Sequence, residues 1–359
     1  MFKYHRKTQA DIVLKNIYSN FLEVQKRVGD KTIIPVVKAN AYGHGDIEVT
    51  QYLHEKGVDQ FAVSLLEEGL KLRQKFQNIS LLCMGVVEGK SLCTAAKNNI
   101  TVTLTNFDQI EDLMQLDAHL KVHIKVDTGM HRLGFNDLDD IKEVIQFCED
   151  HQFISLEGIY THFATADCDE AYYLMQLKKF KRILNDLNYD FKKVHVSNSS
   201  ASIKYENQFD FTTHVRLGIS LYGCSLDDNM DFLKPTMILK TRISQVRSLS
   251  KGDKLGYGIT YTAREDEMIG ILPIGYADGF IRKNQNGNVM INNKRYPLVG
   301  RICMDQCFIQ IDDSVTKKDT VYLFGKGIDI NEVADRLDTI NYEVLCSISD
   351  RVPRVYIKE

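Results

Sequence analysis

Polar residues able to do chemistry recur where short apolar runs end along the first 235 residues. The first stands in IPVVKANAYGHG (34–45), where a β-branched run closes on Lys38 and Tyr42 follows in a Gly-rich turn. KVHIKVDTG ends in Lys125, with Arg132 just beyond, and LEGIYTHFA carries His162. KKVHVSN supplies His195, Asn198 and then Ser199, and HVRLGISLYG supplies Arg216, Gly218 and Ile219. Taken singly, each has an ordinary explanation: a lysine reaching solvent, an arginine paired with an acid, a histidine filling a core. Together they describe a cationic, hydroxyl-rich pocket. It has no pair of strand-end acids for glycoside hydrolysis, no carboxylate cluster for a metal and no G-x-S-x-G nucleophile elbow. Such a site can bind an anion and offer a lysine amine.

The elements that position these groups follow from periodicity. Eight β-rich runs begin near residues 32, 61, 79, 101, 121, 156, 192 and 214. Helical stretches such as DIEVTQYLHEKG, FDQIEDLMQL, DIKEVIQFCEDH and AYYLMQLKKFKRILNDL lie between them. Eight βα repeats predict a (β/α)8 TIM-type barrel over 1–235, whose chemistry belongs at the C-terminal ends of the strands. A doubly wound open sheet is the rival, but GHG after the first run is not its G-x-G-x-x-G turn. From 236 to 359 the pattern becomes short strands parted by Gly, Asn and Asp turns, with INEVADRLDTI the one helical stretch. This predicts a smaller, mostly β C-terminal domain.

The chain's 359 residues carry a formal charge of -3, so nothing in it reads as a nucleic-acid footprint or a polybasic membrane anchor. No apolar run approaches a membrane span, and the N-terminus has no signal-like core. Eight scattered cysteines without a C-x-x-C pair predict reduced thiols, no metal site and a cytoplasmic protein.

Hydroxyls and backbone N–H groups after the seventh and eighth runs stand where barrels commonly bind phosphate. A phosphorylated cofactor beside a reactive lysine points to pyridoxal 5'-phosphate held covalently through the lysine amine.

Further motifs extend this reading. IPVVKANAYGHG, KVDTGMHRLGF, YTHFATAD, HVSNSSA, VRLGISLYG, GYGITY, PIGYADG, GRICMDQ and RVPRVY occur in that order along nearly the whole chain. The sequence thereby resembles the alanine racemase family of pyridoxal-phosphate barrel enzymes. The resemblance implies that Lys38 bears the cofactor. Tyr42, Ser199, Gly218 and Ile219 would hold its phosphate, with Asn198 alongside. Arg216 would face the pyridine nitrogen, steadied by His162, and Arg132 would sit by the phenolic oxygen. It implies that Lys125 is carbamylated, the carbamate holding Arg132. Tyr257 would be a second base reaching the site from the other subunit of a head-to-tail homodimer. Met304 would meet the substrate carboxylate with Asp305 beside it, and Tyr276 would line the entrance. The implied substrate is alanine, with cell-wall precursor supply and catabolism both open as the role.

The implied chemistry is coherent. Racemisation removes a proton from one face of the α-carbon and returns it on the other, so two bases must flank that carbon. Lysine and tyrosine side chains both titrate at about 10 in solution, and nearby cations lower both. Arg216, which can only donate, cannot accept from a protonated pyridine nitrogen and keep it protonated as a carboxylate would. The ring is left a weaker electron sink, which favours proton exchange over transamination and argues against a decarboxylase of the same barrel class. A racemase for serine or a basic amino acid, a broader-specificity racemase and a non-catalytic pyridoxal-phosphate-binding protein are the alternatives. The last would have no use for Tyr257 or Met304. One position departs from the family. Many members have a phosphate-binding tyrosine before RVPR, where this chain has Asp350. An ionised aspartate repels a phosphate dianion, so either it turns away toward Arg351 or Arg354, or Tyr356 or water compensates.

Overall fold

In a computed structural model of the chain, residues 5–224 and 231–358 are described. Eight parallel strands form one sheet: β2 (Thr32–Pro35), β3 (Gln60–Val63), β4 (Ser80–Cys83), β5 (Ile100–Leu104), β6 (Leu120–Lys125), β7 (Ile154–Tyr160), β8 (Lys193–His195) and β9 (His214–Leu217). Their order, β2-β9-β8-β7-β6-β5-β4-β3, follows the chain around the sheet. The seam closes where Val36 bridges Ala62 and the Val37 N–H donates to the Ala62 carbonyl at 2.9 Å. The expected (β/α)8 barrel is present. Its strands are apolar runs because both faces are covered; all five residues of β5 are buried. Some of the helices between the strands start on side-chain caps: Asp137 accepts from the Asp139 and Asp140 N–H groups, and Asp169 from the Tyr172 N–H.

The first strand has a different allegiance. β1 (Gln9–Val13) joins the sheet of the C-terminal region, antiparallel to β10 (Met237–Arg242) and parallel to the chain's last strand, Arg354–Ile357. The short run ADIV carries no alternation long enough to announce this strand, and sequence reading left it unassigned. The other strands here are β11 (Gln245–Leu249), β12 (Lys254–Leu255), β13 (Tyr261–Thr262), β14 (Glu267–Leu272), β15 (Asn288–Ile291), β16 (Lys294–Val299), β17 (Cys307–Ile311) and β18 (Thr320–Phe324), and the last becomes β19. Eight of the ten strands β10 to β19 join β1 in a nine-stranded sheet of order β11-β14-β17-β16-β15-β18-β10-β1-β19, while β12 and β13 pair as a separate hairpin.

Two helices rather than one lie in this region. Ile330–Leu337 was expected; Asn341–Ser347 was not, because NYEVLCS is only two turns long and has no capping side chain. That second helix packs on the turn carrying Lys38 and Tyr42. A Cβ placed on Gly43 would lie 2.5 Å from the Leu345 carbonyl oxygen. The second region is therefore part of what shapes the barrel rim.

Candidate active site

Beyond the barrel seam the chain makes an uncommon turn. Ala39, Asn40, Ala41 and Tyr42 have φ of 51°, 54°, 53° and 52°, a left-handed helical turn of four non-glycine residues that ends at Gly43 (φ 82°). From the sequence alone this stretch read only as a Gly-rich turn after Lys38. Left-handed residues with a Cβ cost about 1–2 kcal/mol each, so other groups must impose the conformation. Glu68 is one: its Oε1 accepts from the Ala39 N–H at 2.7 Å, while Oε2 accepts from Ser64 and Leu65. The Asn40 Oδ1 accepts from the Asp46 N–H at 3.1 Å. His44 is fully buried, its Nδ1 3.0 Å from both the Ala41 and Tyr42 carbonyls and its Nε2 2.8 Å from the Thr236 hydroxyl. The turn ending Lys38 is thus tied to both halves of the molecule. Lys38 itself is half-buried. Burial, then the Arg132 charge, lowers its pKa, opposed by Glu68 and Cys346.

Lys125, His195 and Arg216 converge around one ring, that of Tyr160, with His162 beside Arg216. Arg216 is 3% exposed, and its guanidinium donates to the His195 Nδ1 (2.6 Å) and to the carbonyls of Thr161 (2.8 Å), His195 (3.1 Å) and Val196 (3.2 Å). His162 Nδ1 lies at 3.3 Å, so His195 and three carbonyls steady this arginine more closely than His162 does. Burial lowers the Arg216 pKa to about 10, which leaves it charged at neutral pH. Burial and the same arginine push His162 and His195 well below the usual histidine range, so both are neutral. The Tyr160 ring is sandwiched by charge: Lys125 Nζ is 4.8 Å and the Arg216 guanidinium 4.9 Å from its centroid, and His195 stacks on it at 4.5 Å. Sequence reading missed Tyr160. Its signal was strand alternation, since Tyr160 lies two residues before His162.

Lys125 is buried, and burial, then Arg216 and Arg132, push its amine well below the ordinary lysine range. Arg132 is exposed on a loop shaped by Asp127, whose Oδ1 accepts from the Gly129 and His131 N–H groups. Among the described residues no carboxylate lies within ion-pair distance of Lys125, Arg132 or Arg216. Two arginines that no described carboxylate pairs with, beside a buried lysine whose amine is pushed toward its neutral form, make a site for something anionic.

Tyr42, Ser199 and Gly218 form a cradle beside them. A Cβ on Gly218 would lie 2.9 Å from the Tyr42 hydroxyl and 3.6 Å from the Ser199 Oγ, so only glycine leaves this space open. The Ser199 Oγ accepts from the Gly218 and Ser220 N–H groups at 3.0 and 3.3 Å, which leaves its hydroxyl proton to donate outward. Ile219 is buried in the turn that follows, and Asn198 caps the next helix by accepting from the Ala201 N–H. Hydroxyls in a glycine-opened cradle, a lysine of lowered pKa and unbalanced cations together fit a phosphorylated aldehyde such as pyridoxal phosphate. A cavity of 790 Å³ opens elsewhere, near Tyr222, Asp329 and Asn341, and carries none of these groups.

The residues expected from the C-terminal region lie on its surface. Tyr257 is 72% exposed on the turn joining β12 to β13, next to Ile259, a β-branched residue at φ 52° that is itself exposed. Met304 and Tyr276 are adjacent and exposed; the Tyr276 and Ala277 N–H groups donate to the Cys303 and Met304 carbonyls at 3.1 and 3.0 Å. Asp305 pairs with Arg351 at 2.6 Å, which makes it a brace for the Met304 turn. Asp350 turns outward as its charge requires: its side chain is 98% exposed and lies 3.8 Å from Arg354. Tyr356 does not compensate, because its hydroxyl donates to Glu48 at 3.1 Å.

Comparison with known proteins agrees with this arrangement. A model of the alanine racemase N-terminal domain matches residues 12–226, and one of the alanine racemase C-terminal domain matches 236–356. The alanine racemase of Listeria innocua is 41% identical over 99% of each chain. That of Geobacillus stearothermophilus is 39% identical over 100% of this chain and 95% of its own. Among solved structures, the alanine racemase from E. faecalis superposes with a TM-score of 0.94 at 35% identity, over 99% of this chain and 100% of that one. A histidine racemase from Leuconostoc mesenteroides superposes with a TM-score of 0.91 at 26% identity, over 99% of both.

Proposed function

Because the chain belongs to the alanine racemase family, we propose that it interconverts L- and D-alanine with pyridoxal 5'-phosphate bound at the barrel rim. One observation carries the cofactor assignment: a lysine of lowered pKa shares its rim with a glycine-opened hydroxyl cradle and with Arg132 and Arg216, which no described carboxylate pairs with. When bound, the cofactor supplies the electron withdrawal that makes the substrate's α-hydrogen acidic.

Lys38 would hold the cofactor and then move a proton at one face of the α-carbon, its lowered pKa keeping the amine neutral enough to accept. Tyr257 of the partner subunit would serve the other face. Tyr42 and Ser199 would donate to the phosphate, with the Gly218 and Ile219 backbone closing around it and Asn198 holding the following helix in place. Arg216, fixed by His195 and backed by His162, would face the ring nitrogen. Arg132 would neutralise the phenolic oxygen and the substrate carboxylate, which the Met304 backbone N–H would also meet. Tyr276 would narrow the entrance, and Asp305 would keep the Met304 turn in place.

Exposure of Tyr257, Ile259, Tyr276 and Met304 supports a homodimer. These large apolar groups project from one region, and a partner's barrel rim would cover them. Lys125 carbamylation has its own support. A neutral amine between two arginines can add to carbon dioxide, forming an N–C bond and releasing a proton, and the new anion would balance both cations. Electron density at the Lys125 Nζ tests it. The eight cysteines are free thiols, which supports a cytoplasmic location, and D-alanine would then serve peptidoglycan precursor assembly.

The deciding experiment offers the pyridoxal-phosphate-loaded protein a panel of L-amino acids and follows D-isomer formation. Exchange of alanine far above the rest is expected. The likeness to a histidine racemase favours one second reading, a racemase of larger or basic amino acids. Rapid histidine, lysine or ornithine exchange with none for alanine would establish it instead.

A further inference from the structure

Lys38 leaves the barrel at a seam whose next carbonyl is already taken, and a side chain supplies the acceptor instead. We propose that Glu68 is a positioning residue for Lys38: its carboxylate holds the peptide that follows the lysine and places a negative charge near the amine. This rests on the reading above that Lys38 holds the cofactor.

The seam shows why an acid stands there. Val36 bridges Ala62, and the Val37 N–H donates to the Ala62 carbonyl at 2.9 Å. N–H groups on one side of a strand recur every second residue, so the next donor is Ala39 and its regular acceptor would be the Ser64 carbonyl. That carbonyl already accepts from the Gly85 N–H at 3.1 Å. The Ala39 N–H goes to the Glu68 Oε1 at 2.7 Å. Across the seam, Oε2 of the same carboxylate accepts from the Ser64 and Leu65 N–H groups at 2.9 and 3.1 Å. One side chain thus ties the end of β2 to the end of β3. It stands in the first turn of helix Leu66–Lys75, where negative charge is favoured. Ala39 follows Lys38 directly and begins the left-handed turn at φ 51°, so this grip fixes the peptide on the lysine's carboxyl side.

Charge gives the carboxylate a second task. Burial, then Arg132, favours the neutral amine of Lys38, while Glu68 and Cys346 oppose them. The Cys346 thiol is itself pushed up by burial and stays protonated at neutral pH, and His162, which also feels Lys38, is neutral. Glu68 is therefore the lasting negative charge among the groups that act on this amine. A base that accepts a proton and later returns it needs both of its forms within reach. Glu68 offsets the burial and the arginine that would otherwise strip the proton away.

The test needs no cofactor. Apoenzyme is labelled with acetic anhydride across a range of pH, and each lysine is followed by peptide mass spectrometry. Only a neutral amine reacts, so the midpoint of each profile reports how tightly that lysine holds its proton. Glu68→Gln should move the Lys38 midpoint to lower pH and leave that of Lys142, half-exposed on the helix Leu138–Asp150, in place. Hydrogen exchange at the Ala39 amide should quicken about tenfold in Glu68→Ala, the worth of a hydrogen bond to a charged group. It should quicken less in Glu68→Gln, whose amide oxygen can still accept. A Lys38 midpoint that stays in place in Glu68→Gln overturns the proposal, and so does unchanged Ala39 exchange in a folded Glu68→Ala. If Glu68→Ala is poorly folded, the Glu68→Gln midpoint decides, because an acid with a merely structural role would not move it. Wild-type apoenzyme that takes up no pyridoxal phosphate overturns the cofactor reading, while the midpoint and exchange still decide the role of Glu68.

Discussion

Arg216 Nη1 lies 2.6 Å from His195 Nδ1, and this contact decides where the protons sit in a buried chain of three residues. An arginine can only donate, so the His195 Nδ1 accepts and its proton is on Nε2. That nitrogen is 2.9 Å from His123 Nδ1, which must accept in turn, leaving the His123 proton on an Nε2 with no partner among the described residues. Burial, then neighbouring cations, holds both imidazoles well below the usual histidine range, so the chain stays neutral and the guanidinium keeps its charge.

His195→Phe keeps much of the ring's volume and removes the acceptor. A buried guanidinium N–H then loses a partner, which should lower unfolding free energy by about 1–3 kcal/mol in urea titrations. Racemisation should slow as Arg216 loosens, by roughly tenfold for a loss of about 1.4 kcal/mol in the transition state. An unchanged kcat would mean that His195 does not position Arg216.

Tyr257→Phe should reduce interconversion by a factor of about 10²–10⁴, the usual share of a positioned acid or base, without weakening cofactor binding. Proton exchange on the face that Lys38 would serve should survive. In deuterated water, one enantiomer should still exchange its α-hydrogen while the other does not. Full racemisation by the variant would rule out two bases.

Dilution should separate activity from folding. If Tyr257 acts across subunits, specific activity should fall as the protein is diluted into the monomer range, in step with the dissociation seen by mass photometry. A monomer that turns over at the full rate would exclude a shared site.

Acid should destabilise the protein through its buried histidines. Burial lowers His44 and His214 to about 4, below the ordinary value of about 6.5, so between those values the unfolded chain binds more protons than the folded one. Their contribution is fully present above pH of about 6.5 and is lost as pH falls through 4. The urea midpoint should decline across that window. His44→Gln should make the decline shallower, and a flat profile in the wild type would contradict the burial argument.

The left-handed turn offers a backbone test. Ala39 is exposed at φ 51°, so Ala39→Gly should stabilise by roughly 1 kcal/mol less the added freedom of the unfolded chain. Ala39→Val should be clearly destabilising, because a β-branched side chain is poorly accommodated there. Thermal unfolding of the two variants should bracket the wild type.

Much of this molecule was readable from local pattern. The eight barrel strands were recognisable because strands covered on both faces must be nearly continuous apolar runs, and ITVTL and QFAV can be little else. Lys38, Lys125, His162 and Arg216 stood out because charge at the end of such a run is anomalous, whatever the fold. β1 and helix Asn341–Ser347 were missed for the opposite reason. Each is too short to show a period, and each is stabilised by its neighbours, β1 by strands from the far end of the chain and the helix by the turn it covers.

The sequence by itself determined the barrel, the chemical character of its rim and the lysine that closes its first strand, because periodicity and residue type are local properties. Tertiary structure alone decided the left-handed turn behind Lys38, the tautomers beneath Arg216, the pairing of Asp305 with Arg351 and the meeting of Tyr342 with Tyr42. Each depends on groups far apart in the chain. A backbone conformation disfavoured on its own persists only where Glu68, His44 and Leu345 arrive together to hold it.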